Sequence, residues 1–466
     1  MSDALDRLGE RLADRANPLM VKEVRQGLRA RTFWLFFALM LVVNLFISLV
    51  GWQEAHEGAQ NVGQWVFLAF FVVLAVVQFF VLPYSAYRSM LREAENETWV
   101  LLTLTGLGPR RILGGKVMSA SLQGVLYASA AAPFLLFSYF LNGIGLPTVI
   151  ATVVVALGYQ VLLVSLAISV ATLASTRLMR GLLHFLLLGG LFQALSLGIG
   201  GGMAVESVLA RSFVGLDFWL ATGGLLFAAV STGVLLFEAA AARLSLPTED
   251  YARGPRLAYV VQFLGGVVFA VLAWMRGEST LPVAGVALAL YATMVGIFVV
   301  SDRDGSSRAQ WAAGPRYSLL RPGGLRGYVL VVVLLVGVLA AFAALSIADD
   351  EGLLRLLAAL TYALLLLSVP VVLTRQLSHP PAQTPALTRV VFFTLLVALT
   401  AIPPMVGEIV SEASDVRLNA FNPIVGFANL DEPGGPLALL VATAVAGLFV
   451  ALALGALRRR DVEWRA

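Results

Sequence analysis

Long, nearly uncharged apolar runs recur along this chain near residues 33–51, 65–87, 117–140, 147–175, 181–202 and 217–242. They recur again near 257–275, 281–300, 328–347, 353–373, 389–410 and 435–457. A helix needs about 20 apolar residues to cross the hydrocarbon core of a bilayer, and each run approaches or exceeds that length. The pattern predicts an all-α integral membrane protein with about 12 transmembrane helices in two six-helix halves. The halves meet at the polar stretch RLSLPTEDYARGPR. The domains read as a cytoplasmic amphipathic region at 1–32, a first six-span half at 33–242, a linker at 243–256, a second half at 257–457 and a basic tail at 458–466.

Composition agrees. The 466 residues are 59% apolar and 13% charged, where a soluble globular chain carries about 25% charge. There is no cysteine, so disulfides, thiolate metal sites and lipidation at cysteine are excluded; His56, His184 and His379 are far apart in sequence, and no metal site is expected. The charged stretch of both signs before the first run is unlike a cleavable signal, so the first span is expected to stay in the protein.

The basic residues set an orientation. Of 32 Lys and Arg, all but Arg211, Arg276, Arg355 and Arg417 fall in the N-terminal segment, the even-numbered connections or the tail. By the positive-inside rule both termini face the cytoplasm, as in a multi-pass protein of the bacterial cytoplasmic (inner) membrane. The net charge of +4 follows from that orientation, and no nucleic-acid partner is expected.

One connection departs from the rest. Between the second and third runs, LREAENETWVLLTLTGLGPRRILGGKV combines an acidic run, Glu93, Glu95 and Glu97, with Thr98, Trp99 and an apolar stretch through Leu102. Glu93 and Glu97, four apart, share a helix face. Gly106 and Gly108 stop that helix, and Pro109 suits the first position of the next, which places Arg110, Arg111 and Lys116 as a basic collar at headgroup level.

The N-terminal segment is amphipathic in two pieces. Leu5, Leu8 and Leu12 form one stripe; Asn17-Pro18 then reads as an N-cap and a first-turn proline. In the helix that follows, Met20, Val24 and Leu28 share one side, with Lys22, Glu23, Arg25, Gln26 and Arg29 elsewhere, as for a helix lying in the membrane interface.

These two stretches resemble, in register, two features of ABC-exporter permeases of the type-2 class. The acidic run, Thr, leucine pair, Thr, Gly-Pro-Arg turn and Ile-Leu-x-Gly-Lys resemble the family's cytoplasmic coupling helix, with Val100, Gly106 and Gly108 replacing its usual glutamate, proline and serine. Asn17, Pro18, Lys22, Glu23 and Arg25 resemble its elbow helix. The tail LNAFNPIVGFANLDEPGGP is similar, more weakly, to the close of such a permease domain. The resemblance implies a noncatalytic transport subunit that couples a separate ABC ATPase to substrate translocation. ATP and Mg would be bound only by the partner, the coupling contacts would run through residues 93–116, and a second permease chain, identical or related, would complete the assembly within membrane lipid.

Other chemistry is sparse. GPRRILGGKV lacks the first glycine and the final hydroxyl of a P-loop, so the chain encodes no phosphate cradle. Asn44, Gln78, Gln123, Gln160, Gln193 and Gln262 within the spans suit hydrogen bonding between helices, and Glu238 and Glu408 lie toward span ends. A proton- or sodium-coupled secondary transporter would bury a mid-span carboxylate. That reading, and an intramembrane transferase or a noncatalytic scaffold, stand as alternatives. Pro83, Pro133, Pro370, Pro403 and Pro404 are expected to kink their helices, and Gly198 and Gly202 to admit a close neighbour.

Overall fold

The computed structural model describes residues 18–95, 108–141, 144–174, 176–204, 215–246, 249–276, 280–302, 318–346, 349–376, 385–410 and 420–463. The described chain is helical, without strands, and 12 of its helices are long and apolar enough to cross a membrane. It is a multi-pass all-α membrane protein, and it divides into two compact units, Met1–Ser245 and Leu246–Ala466.

In the first unit an amphipathic helix, Pro18–Arg29, precedes the first span, Arg31–His56. Ala30 alone separates them, its extended backbone (ψ 132°) breaking the helix so that two axes meet at one residue. Trp34 and Trp52 are exposed near opposite ends of the first span. Eighteen residues at 1.5 Å each place them about 27 Å apart, close to the thickness of a hydrocarbon core whose borders favour tryptophan.

The second span is built from Val62–Ala75, a π-helical turn at Val76–Val81 and Leu82–Glu95. Sequence predicts a disturbance at Pro83, and the structure widens the preceding turn. Proline has no N–H and its ring crowds the carbonyl four residues back, here Phe79. In the π turn the Leu82 N–H reaches five residues back, to the Val77 carbonyl.

The remaining spans of this unit are Pro109–Phe140, Leu146–Leu173, Arg177–Ala204 and Leu216–Leu244. Gly198 and Gly202 of the fifth admit aromatic rings of the second: a methyl at Gly198 would fall 2.6 Å from the Phe79 ring, and one at Gly202 would meet Phe71. Amides bridge spans as expected. Gln78 donates to the Gly124 carbonyl (3.3 Å) and Gln160 to the Ala120 carbonyl (2.9 Å), while the Gln160 carboxamide fills the space that a side chain at Gly124 would take.

The second unit contains Arg253–Trp274, Leu281–Val300, Gly324–Leu345, Asp350–Gln376, Pro385–Val410 and Gly435–Glu463. Asp349 caps the tenth span through the Gly352 N–H (2.9 Å). Asn422, buried, accepts from the Ile424 and Val425 N–H groups and donates to the Thr400 carbonyl, which fixes the turn into the short helix Val425–Ala428.

Both units are packed to the same plan. In the first, the fourth span packs along the second, third, fifth and sixth; the second also packs on the first, third and fifth, and the third on the sixth. The second unit repeats these pairings with its own spans in the same order, but not, to a comparable extent, the packing of the first span on the third that the first unit also makes. Burial repeats too: the second and fourth spans are 56% and 50% buried in the first unit, and their counterparts 50% and 67% in the second. The third is 33% buried in both, and the others expose their apolar sides as lipid-facing helices do.

Candidate functional site

The residues singled out by sequence converge on one buried lysine. Lys116 is the eighth residue of the third span, at the end of its second turn, and its side chain is 3% exposed. Its ammonium nitrogen lies 2.7 Å from Glu93 Oε1, 3.3 Å from Glu23 Oε1 and 3.0 Å from Ser89 Oγ. An ammonium has three N–H bonds, and here each has an acceptor. Two carboxylates face one cation, so the cluster is formally anionic.

Each partner is placed by a local sequence rule. Ser89 and Glu93 are four apart on the last turns of the second span and therefore share a face. Glu23 and Gly27 are likewise four apart on the Pro18–Arg29 helix, which packs along the third span. Gly27 permits that approach, since a side chain there would run into the Gln123 carboxamide, seven residues and two turns beyond Lys116. Leu28 reaches the apolar core beside it, and Lys22, Arg25 and Arg29 remain exposed on the far side. The amphipathic reading of this helix therefore describes its packing, with Glu23 as the polar residue turned inward. The start of the first span is fixed to the same neighbour, because Tyr127 Oη donates to the Phe33 carbonyl at 2.9 Å and the two rings pack edge to face.

Two expectations change here. The predicted basic collar is not uniform: Arg111 is exposed, but Lys116 is buried in the cluster and Arg110 pairs with Glu238 of the sixth span at 2.8 Å. Glu238, toward the end of its span, is therefore held by Arg110. Glu93, expected to offer its charge outward, is engaged by Lys116 within the fold. Pro109 does occupy the first helical turn after extended Gly108. Glu95 is the last residue of its helix; Asn17, Glu97, Thr98, Trp99 and Leu102 lie outside the described residues.

The arrangement joins three segments at one charge centre: the helix leading into the first span, the end of the second span and the start of the third. A partly desolvated cation flanked by two carboxylates does not add much stability by itself, but it penalises any movement that separates the three, because each buried charge would lose its counter-charge. The cluster thus links the end of the second span, the Pro18–Arg29 helix and the start of the third span. Toward the bundle interior that span carries Ser119, Gln123 and the carbonyls of Ala120 and Gly124 that Gln160 and Gln78 bind. Further polar contacts thus lie along the same span, the last of them made by Gln78 in the π turn of the second span.

Fold and site together define a polytopic membrane protein whose first unit carries a buried ionic junction at the base of its second connection. No family model matches the chain, and comparison with curated proteins and with solved structures gives no match.

Proposed function

We propose that the chain is the membrane-spanning permease of an ATP-driven exporter, coupled to a separate ATPase subunit that docks on the connection between the second and third spans. One observation carries this reading: the two segments whose sequences resemble the elbow and coupling helices of type-2 ABC-exporter permeases are joined through a single buried residue, Lys116, by way of Glu23 and Glu93. Glu23 and Lys116 are 93 residues apart in the chain. In this reading Glu95, Glu97, Trp99 and Leu102 contact the ATPase, and Glu93 and Lys116 hold the base of the connection. The Pro18–Arg29 helix carries displacement to the first span. ATP and Mg are bound by the partner alone, both termini face the cytoplasm, and the chain itself is not an enzyme.

The test is purification of the tagged full-length chain in mild detergent from its native membrane. An ATPase with Walker motifs is expected to co-purify, ATP turnover to be found in the complex and none in the isolated chain. ATP turnover by the isolated chain, or a complex without any ATPase, contradicts the proposal.

A further inference from the structure

The Pro18–Arg29 helix has a second charged face, opposite in sign to the residue it turns toward Lys116. Lys22, Arg25 and Arg29 stand three and four residues apart, so at about 100° per residue they fall within roughly 60° of one another around the helix. All three are exposed, as is Arg31, the first residue of the first span. From residue 18 to residue 53 the chain has one carboxylate, Glu23. It lies on the side of the helix that meets the third span, 16% exposed, with Oε1 3.3 Å from Lys116. The junction therefore withdraws the only negative charge of this segment from its outer face, where four cations are left. Among the described residues none of the four has a carboxylate partner.

The first span sets the depth of this stripe. Trp34, Leu35, Leu39 and Val42 are exposed on it, and exposed apolar residues of a membrane span face lipid. Tryptophan there marks the border of the hydrocarbon core. Arg31 lies three residues before Trp34, about 4.5 Å further out along the helix, which is headgroup depth. Arg29 precedes it by two residues across the break at Ala30. Lys22 is seven residues from Arg29, about 10 Å along the helix, so the whole stripe stays within the reach of a charged headgroup layer, whose field decays over about 10 Å at 0.1 M salt.

We infer that Lys22, Arg25, Arg29 and Arg31 form a binding surface for the phosphate groups of anionic phospholipids in the leaflet that the positive-inside rule makes cytoplasmic, and that this lipid holds the Pro18–Arg29 helix in place against the third span. Four Lys and Arg residues on an amphipathic helix immediately before a membrane span attract anionic headgroups. Three of the four are arginines, whose paired N–H donors suit phosphate oxygens. The continuity of the stripe with the lipid-facing side of the first span, through Arg31 and Trp34, favours lipid over a protein partner. The inference does not rest on the proposed function: the ATPase plays no part in it.

The experiment uses the full-length tagged chain, freed of any co-purifying protein, in nanodiscs of phosphatidylcholine alone or of equal parts phosphatidylcholine and phosphatidylglycerol. Hydrogen–deuterium exchange of the amides of residues 22–29 is expected to be about tenfold slower in the anionic nanodiscs, with the fourth span equally protected in both. The difference is expected to shrink in high salt and to disappear in the triple variant Lys22→Gln, Arg25→Gln, Arg29→Gln. Equal exchange of the wild-type chain in the two lipids overturns the inference. So does a lipid-dependent difference that survives in the triple variant, because the stripe would then not be its cause. Inorganic phosphate added to the neutral nanodiscs is expected to leave exchange unchanged; slowing by phosphate alone overturns the assignment to lipid. A second measurement needs no variant: native mass spectrometry of the wild-type chain released from the mixed nanodiscs should show retained phosphatidylglycerol in preference to phosphatidylcholine, and equal retention counts against the site. Loss of protection on deleting residues 1–16, with no dependence on lipid, would instead assign the stripe to that segment, which carries Asp3, Asp6, Glu10 and Asp14, and would overturn the inference.

Discussion

Replacing Lys116 by methionine removes the charge of the first junction while nearly preserving side-chain length and volume. Glu23 and Glu93, with side chains 16% and 23% exposed, are then left facing one another without a cation. Removing one partner of a buried ion pair costs roughly 3–5 kcal/mol. The residual water contact of both carboxylates places this case at the lower end, about 3 kcal/mol. At about 1.4 kcal/mol per tenfold, that is on the order of a 100-fold shift toward release of the Pro18–Arg29 helix from the third span. The spans themselves insert by hydropathy and should be unaffected. Hydrogen–deuterium exchange in detergent reads the shift directly: the amides of residues 22–29 should exchange about 100-fold faster in Lys116→Met, while those of the fourth span stay protected. Adding Glu93→Gln to Lys116→Met should recover part of the loss, because it removes one of the opposed charges. The coupling between the two sites should therefore be well outside additivity. Unchanged exchange at residues 22–29, or strictly additive effects, would refute the junction as the tie between these segments.

Further predictions address other contacts. Gly124→Leu places a side chain where the Gln160 carboxamide lies, and should lower the thermal midpoint through overpacking by about 1–3 kcal/mol, while Gly114→Ala, with its nearest neighbour 3.9 Å away, should not. Arg110→Ala breaks a pair whose arginine is 51% exposed, so its effect should be below about 1 kcal/mol and should vanish in high salt, measured as a melting shift at two ionic strengths. Tyr127→Phe removes a buried donor to the Phe33 carbonyl and should cost about 0.5–1.5 kcal/mol, seen as a lower melting temperature without change in insertion. Reporter fusions at Ala466 and in the 88–116 connection should both report a cytoplasmic position, as the distribution of lysine and arginine requires.

Much of this architecture can be read from the chain, because span placement depends on a large, additive quantity. Twenty apolar residues leave little ambiguity, and the helices found lie within a few residues of the runs from which they were read, apart from ends such as Glu95 and Pro109, where polar residues extend the helix beyond the apolar stretch. Pro109 and the glycine pair Gly198 and Gly202 were legible for a different reason: each acts through backbone chemistry that is local. Lys116 was not. A lysine near a span end ordinarily extends to the headgroups, and only the approach of Glu23, 93 residues away, together with Glu93 reverses that. The same applies to Arg110 and Glu238, 128 residues apart. The π turn escaped because Val76–Val81, apolar except for Gln78, carries no periodic signal, so Pro83 announced a disturbance but not its form. The six-span organisation of both halves suggests a repeat, but its residues do not show it, because lipid-facing helices are chosen for apolarity and small contact residues, which many sequences satisfy, whereas the order in which helices pair is visible only in space.

The central claim is that the connection after the second span conveys ATPase action to the bundle through Lys116. Its most direct measurement is ATP hydrolysis by the complex of chain and ATPase in lipid nanodiscs, wild type against Lys116→Met, with ATPase retention measured on the same samples. The account predicts that stimulation of ATP hydrolysis, normalised to the ATPase retained, is largely lost in the variant. Equal stimulation by both chains, with the exchange of residues 22–29 shown to be altered in the variant, would contradict it.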